Sequence, residues 1–209
     1  MSQLTHEFFK TILKMEGGYQ NRTDDTGNWN PCGELAGTNM GVSAVALSEW
    51  VGRCVTESEM RTLDQATAFN FYAWYFDKYR LFEIQDQKFA ELLMNNAMGS
   101  PGGATRSAQR ALNALGFNIQ VDGSMGQQTI NALNDAWRKN PAGIYNMVRD
   151  QWLLYLKSIN KPQFLDGWIY RLDKYFPALG VSGWHSPAAL AETGMLLLFA
   201  FIGYKLLKS

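Results

Sequence analysis

The sequence predicts a mainly α-helical protein, with a small irregular or β-hairpin region after the first helix and a hydrophobic helix at the carboxyl end. Three observations point there. Apolar residues recur at helical spacing through most of the chain. A stretch rich in glycine, asparagine and aspartate over 21–41 interrupts them. Beyond Pro177 the composition turns apolar. The 209 residues, 46% hydrophobic and 18% charged, suffice for one or two compact domains with a substantial core. Lys plus Arg and Asp plus Glu number 19 each, so there is no basic footprint for nucleic acid.

The first helix is announced by Phe8, Phe9, Ile12, Leu13 and Met15. Gly17-Gly18 is expected to stop it, because glycine reaches left-handed dihedrals without steric cost. Glu16 then falls in the last turn. There the negative end of the helix dipole, and burial against Phe8, Phe9 or Tyr19, would both disfavour the charged carboxylate. A carboxyl group that holds its proton near neutral pH is what general-acid catalysis needs. The same residue also reads as a surface glutamate before a glycine cap. Asp25 follows on the polar loop Asn21-Arg22-Thr23-Asp24-Asp25-Thr26-Gly27. A helix-terminal Glu and a loop Asp suit glycosidic cleavage, one donating a proton and the other steadying positive charge or activating water. Aspartate and glycine equally suit turn chemistry, and spacing does not choose between them.

The 21–41 segment reads as loop with a short hairpin. Its Trp29 fits either a sugar-stacking ring or the cover of a small satellite core. A helix is expected from Ser43 to Trp50, and Thr56-Glu57-Ser58-Glu59 is a capping box for a short one. From Asp64 to about Phe82 aromatic residues lie on every side, as in a fully buried helix. Lys88 to Ala97 forms the next helix, ended by Gly99-Ser100-Pro101-Gly102-Gly103 as a loop and internal boundary. Asn95 and Asn96 near that end either face a sugar or cap the loop. These glycines lack the context and lysine of a phosphate cradle. Helices follow over Ala104–Leu115, from near Thr129 to Leu133, and over Ala142–Ile159, with Asp122-Gly123 a tight turn.

Cys32 and Cys54 are too few for a disulfide scaffold and are expected as ordinary thiols, pairing only if the chain reaches an oxidising compartment. His6 and His185 are isolated, so neither a metal site nor a cofactor is expected. Met1 to Met15 lacks the apolar core of a cleaved signal. Ala188 to Tyr204 is apolar apart from Glu192, with Lys205 and Lys208 behind it. Its roughly 25 Å falls a little short of the ~30 Å hydrocarbon core. Trp184, Tyr204 and the lysines suit an interface, so a transmembrane helix over 188–207 is expected, with a helix capping the core as the alternative.

Glu16-Gly17-Gly18-Tyr19, Asn21, Asp25 and Gly27, followed by Thr38-Asn39-Met40-Gly41-Val42-Ser43, resemble the opening signature of family 108 of the glycoside hydrolases. The resemblance implies a lysozyme-like helical fold and an N-acetylmuramidase of phages and bacteria, acting on the β-1,4 bond between N-acetylmuramic acid and N-acetylglucosamine. It implies Glu16 as proton donor, Asp25 as the loop aspartate, and Thr38 and Asn39 as the polar pair that helps hold water. Tyr19, Trp29 and Asn96 are the expected substrate contacts. About nine extra residues, roughly 28–36, separate the two halves of the signature. Further on, Gln109-Arg110-Ala111-Leu112-Asn113, Val121 to Gly126, and Thr129 to Leu133 resemble the family's peptidoglycan-binding half, and Phe164-x-x-Gly167-Trp168-x-x-Arg171 resembles its closing segment.

The chain therefore divides, as an expectation, into a catalytic region over 1–98, a helical peptidoglycan-binding-like region over 99–178, and a linker with the membrane helix over 179–209. Its expected partners are peptidoglycan glycan strands and a lipid bilayer, with a holin or a virion membrane as routes to the wall. Two other readings stand beside the endolysin: a membrane-tethered binding module without catalysis, and a lytic transglycosylase.

Overall fold

The computed structural model describes residues 1–180, and the membrane helix expected over 188–207 lies outside them. Among the described residues no helix is long and apolar enough to cross a membrane. The chain forms two compact units, one over Met1–Glu83 and one from Ile84 onward.

In the first unit, α1 (His6–Met15) starts where the Thr5 hydroxyl accepts the Phe8 N–H at 3.0 Å, and it buries Phe8, Phe9 and Ile12. Glycine does not end this helix. Glu16 itself turns extended (φ −95°, ψ 146°), its N–H closing the last turn on Ile12 O at 2.9 Å. Neither Gly17 nor Gly18 takes a positive φ. A 3-10 turn over Thr26–Asn28 leads into an antiparallel hairpin, β1 (Thr38–Asn39) and β2 (Val42–Ser43), with Thr38 opposite Ser43 and Asn39 opposite Val42. Its two-residue turn has Met40 at φ 50° and Gly41 at φ 76°. Positive φ at both positions matches the right-handed twist of the flanking strands.

Ser43 caps α2 (Ala44–Val51), which ends on left-handed Gly52 (φ 73°). The expected capping box is present in α3 (Glu57–Arg61), where Thr56 and Glu59 satisfy each other's backbone N–H. α4 (Gln65–Lys78) is shorter than the aromatic run suggests. Arg80 adopts φ 56°, and a 3-10 turn over Leu81–Glu83 follows, held by Arg80 Nε on Glu83 at 2.6 Å. Nor is α4 buried all round. Phe71, Tyr72, Tyr75 and Phe76 form its inner face, while Asn70, Asp77 and Lys78 are exposed.

Cys32 and Cys54 are disulfide-bonded, with Cα atoms 6.1 Å apart, which corrects the expectation of two thiols. Asn30 explains the pairing. Its Oδ1 accepts the N–H groups of Cys32 and Glu34 at 3.0 Å each, and its Nδ2 donates to Val55 O at 2.7 Å. One buried amide thus folds the 28–36 insertion into a turn and brings it beside residue 54.

The second unit is built from α5 (Gln87–Gly99), α6 (Pro101–Ala114), α7 (Gln127–Lys139), α8 (Pro141–Ser158) and α9 (Pro162–Tyr175). α8 packs against α5, α6, α7 and α9. The expected loop over 99–103 is a single residue, Ser100, between two helices. Pro101 is tolerated because the first helical N–H has no partner to lose, and the Ser100 hydroxyl accepts from Gly103 N at 3.3 Å. Gly103 serves packing rather than a turn, since a Cβ there would stand 2.4 Å from the Tyr155 ring. The Asp122-Gly123 turn is as expected. Gly123 has φ 82° and donates its N–H to Gln109 Oε1 at 2.9 Å. Asp122 Oδ1 accepts from Gln109 at 2.7 Å and from Ser124 N at 2.8 Å, and these bonds hold its carboxyl below the usual carboxylate range.

Candidate active site

Glu16 stands half-buried at the end of α1, and its side chain lies against the tip of the β1–β2 hairpin. The fit is close. A Cβ on Gly41 would fall 2.5 Å from Glu16 Cγ and 2.6 Å from the Tyr72 hydroxyl. Tyr72, fully buried on α4, donates that hydroxyl to Met40 O at 2.9 Å and so locks the hairpin tip. Glycine is required at 41 on two counts, its left-handed backbone and the absence of a side chain. The next two residues are exposed, and a Cβ on Gly17 or Gly18 would meet nothing within 4 Å.

Asp25 is exposed and caps the 3-10 turn, its Oδ1 accepting from Gly27 N at 3.0 Å and its Oδ2 from Gln20 Nε2 at 3.3 Å. Gln20 and the fully buried Asn28 exchange amide hydrogen bonds at 2.9 and 3.0 Å. Asn28 also donates to Arg22 O at 2.9 Å and accepts from the Thr38 hydroxyl at 2.6 Å. The Thr38 backbone pairs with Gln20 in both directions, at 2.8 and 2.9 Å. One short hairpin therefore serves both acids. Its tip supports Glu16, and Thr38, at its root, is bonded through Asn28 and Gln20 to the Asp25 loop.

The remaining expected residues are placed as follows. Asn39 is buried and donates to Met60 O at 2.9 Å, so its amide caps the end of α3. Tyr19 lies between backbone and charge. Its hydroxyl meets Ala36 O at 3.2 Å and Glu57 at 3.0 Å, and the Arg61 guanidinium lies 4.1 Å over its ring. Partial burial and the Glu57 carboxylate raise the Tyr19 pKa, while Arg61 and Tyr19 lower that of Glu57. Trp29 is exposed at 39%, its indole N–H on Thr23 O at 3.2 Å, so its ring braces the 23–29 loop with much of its surface in solvent. Asn96 belongs to the second unit and is fully buried, accepting from Asn95 Nδ2 at 3.1 Å. Among the described residues no group of three His, Cys, Asp or Glu could hold a metal ion.

Asn28, Gln20 and Tyr72 escaped the sequence reading. Asn28 lay inside the insertion, and Tyr72 looked like one core aromatic among many. The one usable signal was Met40-Gly41, whose glycine marks a hairpin turn that something must approach closely.

A half-buried glutamate at a helix end and an exposed aspartate on a polar loop, both tied to one hairpin, are two carboxyl groups of the kind that glycosidic cleavage uses. Comparison with known proteins gives the family. Residues 9–100 match glycosyl hydrolase 108, and residues 103–173 match a family described as a predicted peptidoglycan domain. The amino-terminal region, residues 9–100, is thus a glycoside hydrolase 108 domain, and the protein is an enzyme of the muramidase type with a peptidoglycan-directed role. A solved structure of SagA from Brucella abortus is similar, with a TM-score of 0.65 and 26% identity, covering 81% of this chain and 89% of that one. No curated protein matches the chain.

Proposed function

We propose that the protein is an endolysin-type N-acetylmuramidase that cleaves the β-1,4 bond between N-acetylmuramic acid and N-acetylglucosamine. Glu16 is the general acid. Asp25 steadies the oxocarbenium-like transition state or directs water, and Thr38 offers its hydroxyl oxygen to that water while its proton stays on Asn28. Asn39 acts from behind, keeping the hairpin on α3. Tyr19 and Trp29 are the proposed substrate contacts, of which Trp29 has the most surface to offer a sugar ring, whereas Asn96, fully buried in the second unit, has none to offer. One observation carries this reading: a Cβ on Gly41 would fall 2.5 Å from Glu16 Cγ, so the hairpin tip holds the half-buried acid, while the adjoining Gly17-Gly18 is exposed. A proton donor needs that combination of a fixed position and an accessible flank.

Glu16→Gln preserves shape and removes the proton. Turbidity clearing of purified sacculi is expected to slow by ~10²-fold or more, and clearing at the wild-type rate would refute the role. Mass spectrometry of the fragments should show reducing ends, whereas anhydro-sugars would mean a lytic transglycosylase.

We further propose action at the bacterial wall. The Cys32–Cys54 disulfide supports it, because such bonds persist in oxidising compartments. Attachment to a bilayer through 188–207, with a holin or a virion membrane supplying the route, rests on the sequence pattern alone. Alkaline-carbonate washing of membranes carrying the full chain tests it, and quantitative release would dismiss the anchor.

A further inference from the structure

The second unit contains a cavity of about 150 Å³ that the cleavage chemistry leaves unused. Trp152, Leu156, Ile159 and Trp168 give it apolar walls, and Asn95 and Arg171 give it a polar side. Its Trp168 and Arg171 are the paired positions of the Phe-x-x-Gly-Trp-x-x-Arg motif, one turn apart on α9. Arg171 Nε donates to Asn95 Oδ1 at 2.8 Å, and Asn95 Nδ2 donates to the fully buried Asn96 at 3.1 Å. Two amides in series therefore orient the guanidinium. Trp152 is set by stacking on Tyr155, with ring centres 5.0 Å apart. A cavity whose side chains are already fixed spends little ordering entropy on a ligand.

Size and chemistry narrow the ligand. Whole small-molecule sites run to roughly 300–1,000 Å³, so this cavity takes an end group rather than a chain. Its aromatic walls suit a small apolar substituent, and guanidinium suits a planar anion. N-acetylglucosamine is neutral, and in the intact wall the lactyl carboxyl of muramic acid is tied up in an amide bond. The peptides that hang from the strand end instead in a free carboxylate beside a methyl group.

We propose that this cavity is a subsite for the carboxylate end of a peptidoglycan stem peptide, with the methyl group against the tryptophans and the carboxylate on Arg171. The inference rests on the peptidoglycan-directed reading of the chain and deepens it. The test is titration of the full chain with D-alanyl-D-alanine, with the amidated dipeptide and with neutral N-acetylglucosamine oligomers, followed by tryptophan fluorescence and calorimetry. The free acid is expected to bind saturably and ~10-fold more tightly than its amide. Arg171→Gln should erase that preference, and Trp168→Ala should weaken both dipeptides alike. Equal binding of acid and amide, no dipeptide binding at millimolar concentration, or binding of the sugar oligomers alone would overturn the proposal. If Arg171→Gln fails to fold, the acid–amide difference in the unaltered chain and Trp168→Ala decide. None of these readouts involves bond cleavage, so their failure leaves the hydrolase reading standing, and a failed Glu16 test leaves this one open to measurement.

Discussion

Residues 16–43 in the first unit and residues 87–175 in the second satisfy their backbones by different means. In the second unit helices bond internally, and side chains are needed mainly at ends such as Asp86, Ser100 and Asn140. In the first, two strands of two residues each carry almost no ladder, and the polar side chains Gln20, Asn28 and Asn30 take over. The costs differ as well. Among the described residues, the buried side-chain atoms without a partner are Asn96 Nδ2, the Tyr145 hydroxyl and both oxygens of Asp150, all in the second unit. The irregular part is thus the more completely bonded one. A site on irregular backbone has to be, because no regular ladder would restore it once a bond is lost.

Two substitutions and a reduction can break this contrast. The largest expected effect on activity comes from Gly41→Ala. Its Cβ would displace the flexible Glu16 side chain and the Tyr72 hydroxyl, so sacculus clearing should fall ~10²-fold, like removal of the acid itself. Stability should drop by about 2–3 kcal/mol, the cost of a left-handed alanine plus the displaced Tyr72–Met40 hydrogen bond. Retained activity would mean that the hairpin tip does not position Glu16. Next, Asn28→Leu leaves Gln20, Thr38 and Arg22 O without their buried partner, for a loss of about 3–5 kcal/mol in urea unfolding. A change under 1 kcal/mol would show that water replaces the network. Third, reducing Cys32–Cys54, which closes a sequence separation of 22, should cost roughly 3 kcal/mol. Hydrogen exchange should rise over 28–36 and 52–56 and stay unchanged over 101–175.

How much of this was legible in the sequence follows the same division. Helices announced themselves where capping and periodicity agree, as at Thr56–Glu59 and Ser43, and family resemblance marked Glu16 and Asp25 as a pair. Glycine is a poor guide to the helix ends of this chain. Gly17-Gly18 does not bend back the chain, and Gly103 lies within a helix because Tyr155 needs the room. The partners of the two acids were hidden for a physical reason. Asn28 meets Thr38 ten residues away and Asn30 meets Val55 twenty-five residues away, and such contacts leave no local period to read. The disulfide escaped likewise, since two cysteines give no spacing pattern without the turn that Asn30 makes.

The smallest effect sharpens the comparison from the other side. Asp150 on α8 is 2% exposed, and burial raises its pKa from 3.8 to about 6 against the opposing pull of Arg149. A folded-state pKa above the unfolded one means that the folded unit holds a proton the unfolded chain releases. The associated stability is fully present below about pH 4 and is lost as pH rises through about 6. Two pH units at ~1.4 kcal/mol each set a ceiling on the order of 2–3 kcal/mol. Asp150→Asn keeps the shape and cannot ionise. Urea unfolding between pH 4 and 8 should therefore show the wild type weakening across pH 4–6, while the variant stays flatter and is the more stable of the two at pH 8. An unchanged slope would place the pH dependence in another group. It would also remove the main reason for regarding the helical unit as the one that tolerates an unpaired buried acid.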